Sequence, residues 1–303
     1  MLTGVQVVFI GGDARHLEII QKFIDLDAIV VLVGYDRLQN QFDGISREKL
    51  TNEVLKRADA LILPAVGSDD NGNVDTIYSN ENLVLNTEHI GSLLKHAKIY
   101  TGMAKSYLKK ICLDHNIELV ELFNRDDVAI YNSIPTAEGA LMMAIQHTDI
   151  TIHASHCMVL GFGRTGFTIA RMLQMIGAEV KVGVLTLDHY ARAMEMGLHP
   201  FYTKDLRDQV VNTDIIFNTV PDLIITPHVI AHIPYRTVII DIASKPGGTD
   251  FRFAEKRGIK AILAPSLPGL VAPKTAGLIL ANTLCQLLEE QVARKGTLKY
   301  IQG

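Results

Sequence analysis

Apolar residues along this chain fall into short runs, and between the runs they recur every three or four positions. In the first part the runs are residues 5–10, 28–33, 60–63, 98–100 and 118–120, each of strand length. The stretches 16–24, 49–57 and 106–115 have helical spacing instead. Strands alternating with helices predict a parallel sheet with helices on its faces. Beyond residue 126 the pattern changes. Pro135 can open a helix there, and Ala137, Ala140, Leu141, Ala144 and Ile145 give it an apolar face. The alternation then resumes, with strands predicted at 158–160, 179–185, 215–218, 238–242 and 259–263 and a helix at 188–196. A last helix starts behind Pro273 and is expected to pack back on the first part.

At 303 residues the chain exceeds the usual single-domain size, so two domains are expected. The pattern assigns residues 1–133 to an N-terminal α/β domain (flavodoxin- or Rossmann-like) and 134–153 to a connecting helix. It assigns 154–273 to a second α/β domain, 274–292 to the return helix and 293–303 to a frayed tail.

The second domain opens on the most informative stretch. After the apolar run 158–160 come Gly161, Phe162, Gly163, Arg164, Thr165 and Gly166, followed by Phe167, Ile169, Ala170, Leu173 and Ile176 at helical spacing. Strand, G-x-G-x-x-G and amphipathic helix together form a dinucleotide-binding turn. Gly161 would permit the turn, Gly163 the approach of a pyrophosphate, and Gly166 close packing of helix on strand. The N–H groups and positive dipole end of the helix suit an anion. The fold class expected is therefore α/β, with two Rossmann-like doubly wound parallel-sheet domains, the connecting helix and the C-terminal return helix. Residues 11–15 resemble a second, cruder phosphate-type turn, and residues 67–73 read as a polar surface loop.

In such sheets ligands bind beyond the carboxyl ends of the strands. Residues 11–15, 241–248 and 265–269, with Asn218, Thr219, Val220 and Pro221, are the small and polar segments there. A cleft between the domains, walled by these loops, is the expected site. An NAD site usually carries an acid about twenty residues past the turn, where it bonds the ribose hydroxyls. Here Val184, Leu185 and Thr186 precede the first acid, Asp188. That leaves room for a 2′-phosphate, with Thr186 to donate a hydrogen bond and Arg192 to supply charge. NADP is thus favoured, with NAD not excluded.

Charge narrows the classes further. The formal net charge of -4 and the lack of a basic cluster give little support to nucleic-acid or membrane-surface binding. No apolar run approaches membrane-spanning length, and the N-terminus lacks the basic segment of a signal peptide. Cys112, Cys157 and Cys285 are far apart and read as reduced thiols in a cytoplasm. The one close histidine pair, His153 and His156, lacks an acidic or cysteine partner, so no metal is expected.

Several long segments match a known family. They are residues 9–15, 125–139, 144–149, 161–166, 243–251 and 267–277, which together reach across nearly the whole chain. In these the sequence resembles the A subunits of bacterial dipicolinate synthase. One departure is the strand end, where the family pattern Gly-Ala-Arg-Ser stands against Gly183, Val184, Leu185 and Thr186 here. The resemblance implies NAD(P)-dependent oxidation of dihydrodipicolinate to dipicolinate during sporulation, in the mother-cell cytoplasm. It also implies an oligomer formed with a smaller, flavoprotein-like B subunit.

A small dicarboxylate substrate requires cations. Arg15, after the first strand, and Lys274, opening the last helix, are the first choices and are expected on opposite sides of the cleft. A lysine at a helix N-terminus opposes the dipole, so helix stability does not explain it. Lys245 is a third choice. Asp13 is expected to position Arg15, accept a proton or cap the following helix. His16, His89 and Glu138 receive no role. Two other readings stay open: a nucleotide-binding scaffold whose partner does the chemistry, and a dehydrogenase of another small carboxylic acid. The loop 241–248 resembles that of alanine-dehydrogenase-type enzymes.

Overall fold

The computed structural model describes residues 1–39 and 42–301, and for 294–301 only the course of the backbone. The chain divides into two compact units, one made of Met1–Val128 with the helix from Pro273, the other of Ala129–Ala272. The first unit runs β1 (Gln6–Ile10), α1 (Arg15–Asp25), β2 (Ile29–Val33), β3 (Ser46–Glu48), α2 (Asn52–Leu55), β4 (Ala60–Ile62), β5 (Asn73–Val74), β6 (Leu83–Val84), α3 (Thr87–Ser92), β7 (Lys98–Thr101), α4 (Ser106–Asp114) and β8 (Glu118–Glu121). Helix α5 (Asp126–His147) leads into the second. There follow β9 (His156–Leu160), α6 (Arg164–Met175), β10 (Glu179–Val184), α7 (Leu187–Glu195), β11 (His199–Tyr202), α8 (Leu206–Gln209), β12 (Ile215–Asn218), α9 (Pro227–Ile230), β13 (Val238–Asp241), α10 (Phe251–Arg257), β14 (Lys260–Leu263) and α11 (Leu267–Val271). Helix α12 (Pro273–Ile301) returns to the first unit.

Both units contain a parallel six-stranded sheet of the same topology. The orders are β3-β2-β1-β4-β7-β8 and β11-β10-β9-β12-β13-β14, while β5 and β6 pair apart and antiparallel. In each sheet the first strand lies in the middle, the chain winds outward on one side, then crosses to the other. That is the doubly wound, Rossmann-like arrangement. It explains the unbroken apolar runs, because both faces are covered. On β1, Val7 and Phe9 enter one core while Val8 and Ile10 enter the other. On β9, Cys157 and Val159 face one core and Met158 and Leu160 the other.

The structure departs from the sequence reading in four places. Strands β3 and β11 are edge strands that the apolar pattern does not reveal, one being Ser46-Arg47-Glu48 and the other carrying Pro200. An edge tolerates charge and proline because one side needs no ladder partner. Helix α5 begins at Asp126 rather than Pro135, which lies inside it. Asp126 and Asp127 occupy its first turn, where negative charge favours the helix start. The segment expected as a separate connector is the later part of α5, and Ala137, Ala140 and Ala144 bury it in the second unit's core. Finally, α12 continues to Ile301 instead of fraying at 293, while Gln302 and Gly303 of the expected tail lie outside the described residues. Extending a helix already held by packing costs little beyond the residue added.

Helix α12 is held through Leu280, Ala281, Leu284, Cys285 and Leu288, which share a core with Ile19, Ile20 and Phe23 of α1. Near its start a Cβ on Gly277 would overlap the Arg15 carbonyl. A glycine is needed for the two helices to approach at that point. Gly277→Val should therefore destabilise the protein by about 1–3 kcal/mol, the usual cost of overpacking. The check is the urea midpoint, which should fall with an unchanged slope.

Candidate functional site

The glycine turn joins β9 to α6, and its three glycines answer to different neighbours. Gly161 has φ +89°, and a Cβ on it would press on Thr219 Oγ1. A Cβ on Gly166 would run into the Gly161 carbonyl, so α6 starts hard against the turn. A Cβ on Gly163 would meet nothing within 4 Å. Protein packing requires the first and third glycines, whereas the second faces open space. Gly163 is also the N-cap of α6, and no side chain caps that helix. An open cradle at an uncapped helix start fits a pyrophosphate. Phe162 contributes backbone there, since its ring is buried against Phe167 and His189 at centroid distances of 5.4 and 6.0 Å. Arg164 is exposed, and Thr165 is partly so.

Two further loops are fixed beside this turn. The Leu160 carbonyl accepts from Thr219 N at 3.0 Å and from Thr219 Oγ1 at 2.8 Å. Buried Asn218 bonds both backbone groups of Val220, at 2.9 and 3.1 Å. Pro221 follows, exposed. Buried Asp241 accepts from Ala243 N at 3.2 Å, Gly248 N at 2.9 Å and Thr249 Oγ1 at 2.6 Å, which folds residues 243–249 around it. A Cβ on Gly248 would overlap the Val220 carbonyl, so the two loops touch. Lys245 is exposed on the second of them.

At the end of β10, Val184 is buried in the core while Leu185 and Thr186 are exposed. A hydrogen bond with Thr186 is the main reason the Asp188 carboxyl lies below its ordinary range. Arg192 lies farther along α7 and pairs with Glu195 at 3.1 Å.

The first unit has a cavity of about 430 Å³ at the carboxyl ends of β1 and β4, lined by Arg15, Asp13, Ser68, Asp69, Asp75 and Lys105 among others. Arg15 and Asp13 form a fork, with Nε 3.0 and 3.1 Å from the two carboxylate oxygens and Nη2 2.5 Å from Oδ2. Asp13 Oδ1 also accepts from Arg15 N at 3.0 Å at the start of α1. Burial would raise the Asp13 carboxyl, but the neighbouring His16 ring and the Arg15 guanidinium outweigh it and hold the group well below the usual range. So depressed a carboxylate is a poor proton acceptor. His16 is buried, with Nδ1 3.2 Å from Asp13 N and Nε2 3.3 Å from the Leu63 carbonyl.

The double glycine of residues 11–12 is not an open phosphate turn. Gly12 N donates to the Asp75 carbonyl, Ile77 N donates to the Gly12 carbonyl, and Tyr35 Oη donates to the Gly11 carbonyl at 2.6 Å. The chain itself fills the space. Residues 67–73, expected to be a plain surface loop, expose Asp70 and Asn71 but send Gly67, Ser68, Asp69 and Asn73 into the cavity lining, with Ser68 buried. Asp69 organises them by accepting from Asn71 N, Asn73 N and Asn73 Nδ2. His89 closes a capping box with Asn86 at the start of α3.

Lys274 is exposed and lies in the first unit with Arg15, near whose carbonyl α12 passes at Gly277. Both cations therefore belong to the first unit, the part on which the return helix is expected to pack. The sequence reading missed Asp241, Ser68, Asp69 and Lys105. For Asp241 the available signal was an acid ending an apolar strand ahead of a glycine-rich loop.

A larger cavity of about 830 Å³ lies in the second unit at the opposite, N-terminal ends of the strands. Its charges bind one another, as Arg236 does Asp214 at 2.9 Å, and it is remote from the glycine turn. Among the described residues no group of three or more His, Cys, Asp or Glu is placed to hold a metal. Nor is any described helix long and apolar enough to cross a membrane.

Comparison with known proteins matches two successive stretches of the chain, the second of which also takes in α12. Residues 6–123 match the family described as the N-terminal domain of the dipicolinate synthase A subunit, and residues 135–302 match alanine dehydrogenase/PNT, C-terminal domain. The latter is a dehydrogenase-type domain that uses a pyridine nucleotide. The dipicolinate synthase A subunit of Bacillus subtilis (strain 168) is 50% identical over 296 residues, covering 98% of this chain and 100% of that one. The crystal structure of the Bacillus halodurans counterpart is 51% identical, with a TM-score of 0.93 over 95% of this chain and 99% of that one. The crystal structure of the Bacillus subtilis protein is 50% identical, again with a TM-score of 0.93, over 97% of this chain and 99% of that one. The fold, the open glycine turn and these likenesses agree, and the chain belongs to the family of dipicolinate synthase A subunits.

Proposed function

We propose that this chain oxidises dihydrodipicolinate to dipicolinate with NADP as the preferred acceptor, alongside a B subunit, in the mother-cell cytoplasm of a sporulating bacterium. The observation that carries the reading is Gly163, the one glycine of the turn that no protein atom requires. A pyridine dinucleotide held by this turn would supply the hydride acceptor needed for a dihydropyridine to become aromatic, a conversion that also releases a proton. The chain's own part is to hold and orient. Gly161 to Gly166 would cradle the pyrophosphate, with the loop from Asn218 to Pro221 beside it. Arg15, Lys245 and Lys274 are the proposed cations for the substrate's carboxylates, and Asp13 positions Arg15.

The preference for NADP rests on the end of β10, where Val184 and the exposed Leu185 and Thr186 carry no acid and the first one beyond is Asp188. Arg192 could turn to a 2′-phosphate at small cost, because its pair with Glu195 is exposed. The family's own dehydrogenase-type domain supports pyridine-nucleotide use, of either kind.

Gly163→Val should nearly abolish NADP(H) binding in a protein that still folds, since its Cβ would meet no protein atom within 4 Å and the side chain would occupy the space proposed for the pyrophosphate. Calorimetric titration checks this, and unchanged affinity would remove the cofactor from this turn. Thr186→Asp should shift preference toward NAD(H), because a carboxylate accepts from ribose hydroxyls and repels a phosphate. Thr186 suits the test better than Val184, where the acid would be buried in the core. Wild-type protein already binding NAD(H) more tightly would refute the preference. Lys274→Met should raise the substrate KM by at least about tenfold, since a charge-assisted bond is worth roughly 1.5–3 kcal/mol. Ordinary kinetics would release Lys274 from the site.

A further inference from the structure

The cavity at the ends of β1 and β4 holds a cation that is built in yet not fully used. The Arg15 side chain is only 10% exposed, and Nε and one face of Nη2 are spent on Asp13. Its Nη1 donates to no other described residue, although the guanidinium lines an open cavity. A buried guanidinium with donors left over points to an anionic acceptor arriving from outside.

Lys105 lines the same cavity from the other side of β4, where β7 gives way to α4. It stands at the N-cap of α4, where a positive charge opposes the helix dipole and adds nothing to helix stability. Its ammonium forms no hydrogen bond or ion pair with any described residue. The nearest acid it influences is Asp69, whose carboxylate is already occupied by Asn71 N, Asn73 N and Asn73 Nδ2. Of the cavity's other acids, Asp13 is spent on Arg15, and Asp75 remains. Three carboxylates thus face two cations, so a dianion can enter only by direct contact with both positive groups.

We propose that Lys105 is the second cation of this cavity and selects dicarboxylates over monocarboxylates, with Arg15 holding the first carboxylate. The inference rests on the reading of the chain as acting on a small dicarboxylate, and it adds Lys105 to Arg15, Lys245 and Lys274 as a cation for that substrate's carboxylates. Pyridine-2,6-dicarboxylate and pyridine-2-carboxylate differ by the one group at issue. Their affinities for the full chain, measured by calorimetry in the presence of NADP(H), separate the two cations. Lys105→Met should weaken the dicarboxylate about tenfold and leave the monocarboxylate unchanged, while Lys105→Arg keeps the discrimination. Arg15→Met should weaken both acids. NADP(H) affinity and the melting temperature of the Lys105 variants should match the wild type, because the residue is exposed and lies outside the glycine turn. Equal loss for both acids in Lys105→Met, or loss for neither, would overturn the role of Lys105 while leaving Arg15 standing. Wild-type protein that takes up neither acid would overturn the dicarboxylate reading and this inference together.

Discussion

The carbonyl of Leu160 accepts two hydrogen bonds from one threonine, and the ligand end of the second unit depends on that contact. It is the last residue of β9, so whatever binds it fixes where the glycine turn begins. Thr219 supplies both donors, one from the backbone and one from Oγ1, and so ties the turn to the loop after β12. Asn218 then sets Val220, Val220 meets Gly248, and Asp241 sets Gly248. Each of these bonds is worth only about 0.5–1.5 kcal/mol net. Their value is positional: short loops that would otherwise move independently present one surface at the strand reversal between β9 and β12.

The first unit uses the same topology to a different end. Its central turn is closed by residues 75–77 and by the hydroxyl of Tyr35, so no cofactor phosphate has room there. What remains at the strand ends is a cavity with a buried guanidinium clamped by its own aspartate. The clamp has a direction with pH. Because the folded Asp13 carboxyl is depressed, the stability this clamp contributes is fully present above the ordinary carboxylate range near 4 and is lost as pH falls below it. The bond itself persists to well below that range. Arg15 is therefore held in place throughout the neutral range.

Much of this is legible in the amino-acid pattern. The central strands β1, β4, β9, β12 and β13 stand out because burial on both faces makes them continuously apolar. The glycine turn stands out because packing and ligand place demands on neighbouring residues. Edge strands β3 and β11 are hidden because charge in one and proline in the other, which an edge tolerates, break the apolar run. The cavity is hidden for another reason. Ser68 and Asp69 lie in a polar stretch that composition alone assigns to solvent, and Lys105 is one lysine among many exposed ones. Their meaning comes from being brought together by β4 and β7, which sequence separation conceals. Arg15 is visible because it closely follows a strand, whereas its clamp and its spare donors are not.

The contrast between the two turns gives the proposed division of labour a physical basis. A doubly wound sheet always leaves a crevice where its order reverses, and the chain may fill that crevice or leave it to a ligand. In the second unit the small residues at 161, 163 and 166 keep it open, and an uncapped helix start faces into it. In the first unit the excursion that includes β5 and β6 turns back over Gly12 and takes up its N–H and carbonyl. Once those backbone groups are satisfied, recognition has to come from side chains around the rim. Charged side chains recognise small acids well and extended dinucleotides less completely, because a pyrophosphate needs several backbone N–H groups at once. One topology used twice can thus hold a cofactor on one unit and a small carboxylic acid on the other.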